Sequence, residues 1–270
     1  MADQMRGKRL PLSVPRRIVT DVMRFAAKIP SLPVERMMNL SAVVAARAAC
    51  PTRPPWACIF TKAFGMAAQE FPELRRAFLK WPWPHLYEYP ASIAGITVER
   101  SYRGEPCVLL RLIKTPHART VIEMAEIIHG AVDAPLDDVK DFKRQLTFAR
   151  LPGIVRRPLA WLGYNIARQR ANYFGTFVVT AVSFKGADFI HVPVFTTTLL
   201  TFGVIQPDGR VPVRVSMDHR VFDGMAIANI LARLEVILNG PVTEELRAQA
   251  GHSETSKAAV TRSQAYGEHS

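Results

Sequence analysis

The sequence predicts a mixed α/β domain, and three observations support this fold class. Segments with apolar residues at helical spacing alternate with short runs rich in Val, Ile and Leu. Pro and Gly stand between these segments, as is typical of turns. The chain has 270 residues, 49% of them hydrophobic, so it is long enough to bury a substantial core. Alternation of both segment types along one chain indicates a sheet with flanking helices.

The first half of the chain contains the clearest helical periodicities. Apolar spacing predicts an amphipathic helix over Arg16–Ile29, which Pro30 ends. The next elements are a predicted strand over Pro33–Leu40, a Pro-rich loop over Ala49–Trp56 and a helix over Ile59–Phe71. Further along the chain we expect paired strands at Ala91–Val98 and Pro106–Ile113 and a helix at Thr120–His129.

Residues 150–174 combine arginines with large apolar side chains. Arg156, Arg157, Arg168 and Arg170 alternate with Leu, Trp, Tyr and Ile, and Pro and Gly interrupt the run. Such a stretch can lie on a membrane surface or on a partner. It can equally be a surface helix that packs on its own domain while its arginines reach to water. The sequence leaves both interpretations open, and the stretch is a candidate insertion.

The last third of the chain is predicted to be rich in strands. The strands are Thr176–Val182, Phe195–Ile205 and Val211–Met217, and the turn Pro207-Asp208-Gly209 makes the last two a hairpin. A helix follows, with Asp223 as its N-cap and Gly240-Pro241 as its end. Residues 248–270 are polar, so we expect a disordered tail.

Composition restricts the function classes. With 35 basic and 23 acidic side chains the chain carries a net charge of +12, which favours an anionic ligand, a lipid surface or nucleic acid. The basic residues are scattered and no nucleic-acid motif accompanies them, so no nucleic-acid partner is expected. The cysteines Cys50, Cys58 and Cys107 are odd in number and form no CxxC pair, which predicts a reducing, cytoplasmic location and no metal site. No apolar run predicts a signal sequence or a transmembrane helix.

The strongest chemical signal is a histidine at the end of a predicted strand. Val211–Met217 delivers Asp218 and His219 into a loop that closes at Asp223-Gly224 and enters the last helix. Strand ends are rigid while their side chains can face a cleft, and histidine is the side chain best suited to accept a proton near neutral pH. The residues alone leave open whether His219 is catalytic or only exposed, and Asp223 is in the first place a helix cap.

The segment DHRVFDGMAIANILARLEVILNGP resembles the C-terminal signature of the dihydrolipoamide acyltransferases of 2-oxo acid dehydrogenase complexes. Chloramphenicol acetyltransferase and peptide-synthetase condensation domains share a shorter HxxxDG pattern, usually with a second histidine where this chain has Asp218. RRI followed by IP, KAFGMAAQEFPEL and GTFVVT are similar to further stretches of the acyltransferase family. The resemblance implies a chloramphenicol acetyltransferase-like fold, a mixed sheet with flanking helices, over residues 15–247, preceded by a basic tail at 1–14.

The resemblance also implies roles for individual residues. His219 would be the general base, and Thr180 stands where the family has a serine whose hydroxyl donates to the oxyanion. Ser183 is a weaker candidate for that donor. Asp223 would help to hold the loop that carries the base, next to Gly224 at the start of the helix.

Two arginines of the opening helix complete the predicted site. The resemblance implies that Asp218 or Asp223 pairs with Arg16 or Arg17, and it does not decide between these pairings. Relatives are trimers with the active site between subunits, so His219 and Thr180 should come from different chains of a homotrimer.

The implied activity is transfer of an acyl group between coenzyme A, as a substrate, and a thiol or hydroxyl acceptor without a covalent enzyme intermediate. The acyltransferase-like region begins near Met1, and we expect a free-standing enzyme without the family's lipoyl and subunit-binding modules and without a covalently attached lipoyl group. It would use a small-molecule acyl thioester or a separate lipoyl or acyl carrier protein. The alternative is an inactive or weakly active scaffold of the same fold, in a complex or at a membrane surface through residues 150–174.

Overall fold

A six-stranded sheet forms the centre of the structure, a computed structural model that describes residues 7–181 and 190–251. Its helices are α1 (Val14–Ala26), α2 (Ser41–Ala49), α3 (Trp56–Glu70), α4 (Val121–Asp133), α5 (Lys140–Arg150), α6 (Gly153–Asn165), α7 (Ala167–Phe174) and α8 (Gly224–Ile237). Its strands are β1 (Ser31–Asn39), β2 (Arg76–Leu79), β3 (His85–Glu88), β4 (Ile93–Tyr102), β5 (Glu105–Lys114), β6 (Phe177–Ala181), β7 (Thr198–Phe202) and β8 (Arg210–Asp218).

The sheet is mixed, with the strand order β1-β8-β7-β6-β4-β5. The pairs β1–β8, β8–β7 and β4–β5 are antiparallel, whereas β7–β6 and β6–β4 are parallel. Strands β2 and β3 form a separate antiparallel hairpin. The predicted pairing of β4 with β5 and the predicted hairpin of β7 with β8 are therefore confirmed, and so is the mixed α/β class.

Three elements were not predicted. Helix α2 is short and rich in alanine, and its apolar residues do not form a sustained helical stripe. Helix α5 has a polar composition around a few buried side chains, Phe142 and Leu146 among them. The β2–β3 hairpin contains only four residues in each strand. Tertiary packing forms these elements where local periodicity is weak.

One face of the sheet carries the main core. Alternate residues of the strands, such as Ile96, Val179 and Val215, point to this face and pack against helices α3, α4 and α8. Phe64 of α3 meets Phe177 of β6 edge to face, with ring centroids 4.8 Å apart. This packing fixes β6 and β8, the strands that lead to the candidate site.

Helix α8 ends at Ile237, just before Gly240-Pro241, where the sequence predicted its end. The backbone is non-helical at Gly240, and a further helical segment follows this kink and runs to Gly251. Proline cannot donate a backbone hydrogen bond, and the Thr243 hydroxyl supplies one to the Leu238 carbonyl at 2.8 Å. Most of the predicted polar tail, residues 252–270, lies outside the described residues.

Length and composition alone would allow the helical run Gly224–Gly251 to cross a membrane, and it is the one such helix among the described residues. Its apolar face is nevertheless part of the main core, through Ile227, Ile230 and Leu234. Packing within the domain therefore explains its apolar composition.

On the opposite face of the sheet, α1 contacts β5, α7 contacts β4, and α6 packs on α7. Here residues 150–174 pack on their own domain, as one of the two interpretations expected. Arg156 is buried and its Nε lies 2.5 Å from Asp21 Oδ2 of α1. Arg170 is also buried, its guanidinium lies 4.3 Å from the centre of the Tyr164 ring of α6, and its Nη1 donates to the Phe78 carbonyl of β2 at 3.0 Å. These two arginines thus hold α6 and α7 on the domain and do not reach to water.

The outer edge of β5 is covered by side chains of α5. Gln145 Oε1 accepts from the Leu110 amide at 3.1 Å, while Gln145 Nε2 donates to the Leu110 carbonyl at 2.7 Å. Asp141 Oδ2 accepts from the Leu112 amide at 3.1 Å. Helix α5 therefore satisfies backbone groups of β5 that would otherwise be open to a further strand.

Candidate active site

His219 follows the last residue of β8, and its backbone is held in place. The His219 amide donates to the Pro30 carbonyl at 2.9 Å, which ties the loop to the connection between α1 and β1. The imidazole Nδ1 lies 2.7 Å from the Phe222 carbonyl oxygen. Because a carbonyl only accepts, this bond places the proton on Nδ1 and leaves the lone pair of Nε2 available. The ring is exposed, so Nε2 can accept a proton from a bound molecule.

Asp218 has a different partner from the one predicted. Its side chain is fully buried, and both carboxylate oxygens accept from Arg220, at 2.8 Å from Nε and 2.7 Å from Nη2. The Arg220 guanidinium also lies over the Phe78 ring, 4.4 Å from its centre. The proposed pairing of Asp218 with Arg16 or Arg17 is therefore wrong within one chain. Arg220 is two residues away and reaches both oxygens at once.

The arginines of α1 have other contacts. Arg17 Nε donates to the Leu12 carbonyl at 3.1 Å, and the Arg16 amide donates to the Ser13 hydroxyl, which caps the helix. Both residues therefore support the start of α1 and not the loop that holds His219.

Asp223 has the structural role that its position suggested. Its Oδ1 accepts from the Ala226 amide at 2.8 Å and so caps the N-terminus of α8. Gly224 begins this helix, and a Cβ added there would meet no heavy atom within 4 Å. Asp223 thus fixes the end of the loop that returns from His219, whereas local sterics do not require glycine at position 224.

Thr180 lies near the end of β6 and is partly buried. Its hydroxyl oxygen accepts a 2.7 Å hydrogen bond from the Thr97 hydroxyl of β4. Since Thr97 supplies the proton of that bond, the proton of Thr180 is free to be donated to a ligand. Ser183, the weaker candidate for the oxyanion donor, lies outside the described residues.

Gly175 places β6 beside β4. Its φ is +82°, and a Cβ at this position would lie 2.8 Å from the Ile93 carbonyl oxygen. The next residue, Thr176, donates its amide to the same oxygen at 2.7 Å. Glycine is therefore required at the start of the GTF stretch, because it allows the two backbones to approach and the strand to begin.

The sheet register separates Thr180 from His219 within one chain. Thr180 pairs with Thr201 of β7, which pairs with Arg214 of β8, five residues before His219. Five residues along a strand and two strand spacings correspond to about 15–20 Å. One chain therefore does not bring the two side chains together.

Three contacts at the site have no signal in the sequence. The bond from Thr97 to Thr180 and the bond from His219 to Phe222 depend on the fold. His191 is the third case, because its Nε2 lies 3.2 Å from Ser31 Oγ, and Ser31 pairs with Asp218 in the sheet. By contrast, the ion pair between Asp218 and Arg220 lies within the DHR segment itself, and the spacing of two residues could have suggested it.

The cysteine thiols are poor candidates for a nucleophile. All three are free and buried. Burial raises the pKa of Cys58 to about 12, and it also raises the pKa of Cys50 and of Cys107. The thiols are therefore protonated near neutral pH. Residues 7–181 and 190–251 contain no group of three or more His, Cys, Asp or Glu side chains placed to bind a metal ion.

Comparison with known proteins identifies the fold. No protein-family model matches the sequence, and no curated protein matches it. The structure is similar to that of a probable dihydrolipoamide acetyltransferase from Listeria monocytogenes, with a TM-score of 0.61 and 17% identity over 86% of this chain and 94% of that chain. It is similar to the Azotobacter vinelandii dihydrolipoamide acetyltransferase, with a TM-score of 0.62 and 17% identity over 88% and 94%.

A third similar structure is the truncated catalytic core of the 2-oxoacid dehydrogenase multienzyme complex from Thermoplasma acidophilum. Its TM-score is 0.57, with 15% identity over 87% of this chain and 99% of that chain. At these identities the similarity concerns the fold, and it confirms the fold that the DHRVFDG segment implied. The chain has the fold of the catalytic core of the dihydrolipoamide acyltransferases.

Proposed function

We propose that this protein is an acyltransferase that moves an acyl group between coenzyme A and a thiol or hydroxyl acceptor, with His219 as the general base. The observation that carries the proposal is the imidazole geometry. Nδ1 is 2.7 Å from the Phe222 carbonyl, so the exposed Nε2 is left as the proton acceptor, in a fold that acyltransferase cores share.

The reaction needs no covalent enzyme intermediate. His219 Nε2 takes the proton of the acceptor S–H or O–H while the sulfur or oxygen attacks the thioester carbonyl carbon. The carbonyl electron pair moves to the oxygen and forms a tetrahedral oxyanion, which accepts a hydrogen bond from the Thr180 hydroxyl. The carbonyl then re-forms, the bond to the sulfur of coenzyme A breaks, and the leaving thiolate takes the proton from the His219 imidazolium. The high pKa of the buried Cys58 thiol agrees with a route that uses no cysteine nucleophile.

The residues around the base hold it in position. The buried Asp218 pairs with Arg220 directly beside His219, and Asp223 caps the helix that follows the loop. The solved Azotobacter vinelandii enzyme was studied for the catalytic roles of a serine, a histidine and an asparagine, with the asparagine four positions after the histidine. In this chain Asp223 stands four positions after His219, and Thr180 would take the part of the serine.

The separation of Thr180 and His219 supports a site made by two chains. A homotrimer with closed symmetry would give three equivalent sites, each with His219 of one subunit and Thr180 of the next. Acceptors consistent with this chemistry are dihydrolipoamide, a separate lipoyl or acyl carrier protein, and small alcohols.

The experiment is to measure thiol release from acyl-CoA thioesters with dihydrolipoamide and simple alcohols as acceptors. The wild-type protein should release coenzyme A in an acceptor-dependent manner. The His219→Ala and Thr180→Val variants are then purified singly and as a mixture, after dissociation and reassociation. In a random mixture, His219 and Thr180 are both intact at about one site in four, since each is present with a probability of one half.

Recovery of about a quarter of the wild-type rate in the mixture supports a site shared between chains. A mixture that stays as inactive as its components argues against the shared site. Wild-type protein that releases no thiol with any acceptor argues against the enzymatic proposal as a whole.

A non-catalytic scaffold at a membrane surface is the second candidate. The observation that favours it is the apolar surface of α6, where the exposed fraction is 84% for Ile154 and 44% for Trp161, next to the exposed Arg157. Flotation with anionic and neutral vesicles tests it, with Ile154→Ser as the variant. Vesicle binding that Ile154→Ser abolishes, together with no thiol release, would favour the scaffold.

A further inference from the structure

An apolar cavity of about 540 Å³ lies between helices α1, α6 and α7 and the outer face of strands β4 and β5. Ile18 and Val22 of α1, Leu159 of α6, and Thr97 and Leu110 of the sheet are among the residues that line it. Binding sites for small molecules typically have about 300–1,000 Å³. The cavity is therefore large enough for a ligand of that size.

Three polar side chains of the cavity wall, Asp21, Arg144 and Gln145, are engaged with other groups of the protein. Asp21 pairs with the buried Arg156, at 2.5 Å. Arg144 pairs with Asp141 and donates to the Asn172 carbonyl at 3.1 Å. Gln145 uses its amide on the backbone of β5. The remaining surface is largely aliphatic and aromatic, so it favours an uncharged apolar ligand.

Thr97 connects this cavity with the candidate oxyanion donor. Thr97 lines the cavity, and its hydroxyl donates to the Thr180 hydroxyl at 2.7 Å. A thioester whose carbonyl oxygen accepts from Thr180 would thus have its carbonyl carbon near the part of the cavity wall that Thr97 forms. The substituent on that carbon is the acyl chain, and the cavity is the apolar space next to it.

We infer that the cavity between α1, α6 and α7 binds the hydrocarbon chain of a medium- or long-chain acyl thioester. This inference rests on the proposed function and names its substrate class. Each methylene that the cavity removes from water should strengthen binding about fourfold. Octanoyl-CoA and palmitoyl-CoA should therefore be used with a higher kcat/KM than acetyl-CoA.

Gly163 provides a matched test of the cavity. It lies in α6 and lines the cavity, and an added Cβ would meet the Tyr173 ring at 3.5 Å, an ordinary contact. Gly163→Leu should fill part of the space and lower the ratio of kcat/KM for palmitoyl-CoA over acetyl-CoA by about tenfold or more. The control is Gly130→Leu, also in a helix, where a Cβ meets no heavy atom within 4 Å. This control should keep the wild-type ratio.

Ala160→Met is the second variant, because Ala160 lines the same cavity from the same helix and methionine is flexible. Equal use of all chain lengths by the wild-type protein overturns the inference. So does an unchanged ratio in both cavity variants. A cavity variant that changes the oligomeric mass and leaves the ratio unchanged would assign the cavity to a second copy of the chain, which also overturns it.

Binding separates this inference from the proposed function. Calorimetry with S-octyl-CoA, a thioether that cannot transfer its chain, and with coenzyme A reports chain binding without turnover. Tighter binding of S-octyl-CoA that Gly163→Leu weakens, in a protein that transfers no acyl group, would keep the cavity assignment and reject the activity. Acetyl transfer with equal affinity for S-octyl-CoA and coenzyme A would reject the cavity assignment and keep the activity.

Discussion

Asp218 and Arg220 form a closed pair at the base of the loop that carries His219, with two hydrogen bonds of 2.8 and 2.7 Å and a fully buried carboxylate. Loss of one partner leaves a buried charge unpaired, which typically costs about 3–5 kcal/mol. Arg220→Met should therefore lower the free energy of unfolding in urea by about this amount. The double variant Asp218→Asn with Arg220→Met should be more stable than Arg220→Met alone. If the loss of unfolding free energy in the double variant equalled the sum of the losses in the two single variants, the two side chains would not interact.

Removal of the candidate base should affect the rate and leave the fold intact. His219 is exposed, so His219→Ala should retain the melting temperature within a few degrees while acyl transfer falls by about a hundred to ten thousand times. His129→Ala, at an exposed histidine of α4, is the matched control and should keep the wild-type rate. Steady-state rates and thermal melts check this prediction. A His219→Ala protein with the wild-type rate would show that His219 is not the general base.

The two threonines should differ in their effects on the rate. Thr180→Val removes the proposed donor and should lower kcat by about 100- to 1,000-fold with little change in the KM for acyl-CoA. Thr180→Ser should retain most of the activity. Thr97→Val removes only the hydroxyl that orients Thr180, so its effect should be smaller and should also fall on kcat.

The serine variant makes this test specific. If Thr180 only fills the sheet as a β-branched residue, Thr180→Val should be nearly neutral in rate and Thr180→Ser should be the less stable protein. That outcome would direct the search to Ser183 or to a backbone amide.

Two glycines in different conformations should respond to alanine in opposite directions. Gly175→Ala forces a Cβ to within 2.8 Å of the Ile93 carbonyl at a φ of +82°, which should destabilise the protein by about 1–3 kcal/mol. Gly130→Ala, in an exposed turn of α4, should stabilise it by up to about 1 kcal/mol. Urea unfolding of both variants measures the difference. A neutral Gly175→Ala would contradict the close approach of β6 to β4.

Alkaline pH should destabilise the fold through buried groups. Burial raises the pKa of Cys58 from 9.0 to about 12 and that of Tyr89 from 10.0 to about 12. The unfolded chain releases these protons at lower pH than the folded chain. The contribution of these two protonated groups to the free energy of unfolding is therefore complete below about pH 8, and it is lost as the pH rises towards 12.

Cys58→Ala removes one of these groups. It should reduce the dependence of unfolding free energy on pH by up to about 1.4 kcal/mol per pH unit above about pH 9. At about pH 7 the unfolding free energies of the two proteins should depend on pH in the same way. Urea unfolding across this range checks it, and parallel curves for both proteins at alkaline pH would contradict the buried thiol.

Much of the fold was predictable because its signals are local. The Asp223 cap, the apolar face of α8 and the turn at Gly209 are each set by a few neighbouring residues, and the structure contains all three. The end of this helix near Gly240-Pro241 is also local, because Gly240 takes a non-helical conformation. The helical segment beyond the kink depends on non-local packing, since its Val242 and Leu246 are buried in the main core.

The sequence points to the residues of the candidate site, whereas most of the contacts of these residues depend on the fold. The DHRVFDG segment makes His219 the candidate base. The resemblance implies Arg16 or Arg17 as the partner of Asp218, whereas the partner in the structure is Arg220, only two residues away. The hydroxyl of Thr97 is 83 positions from Thr180 and meets it only because β4 and β6 lie side by side. The cavity beside Thr97 likewise depends on how α1 and α6 are placed against the sheet.

The covered edge of β5 limits how copies of this chain can associate. At alternate positions of this strand the backbone N–H and C=O groups point outward, away from β4. Pro106 stands at one of these positions and has no N–H group that a further strand could bind. At Leu110 and Leu112 the side chains of Gln145 and Asp141 already occupy those groups. A strand from another molecule could be added at this edge only after α5 had detached from β5. The edge is therefore protected against the repeated strand pairing between molecules that leads to aggregates.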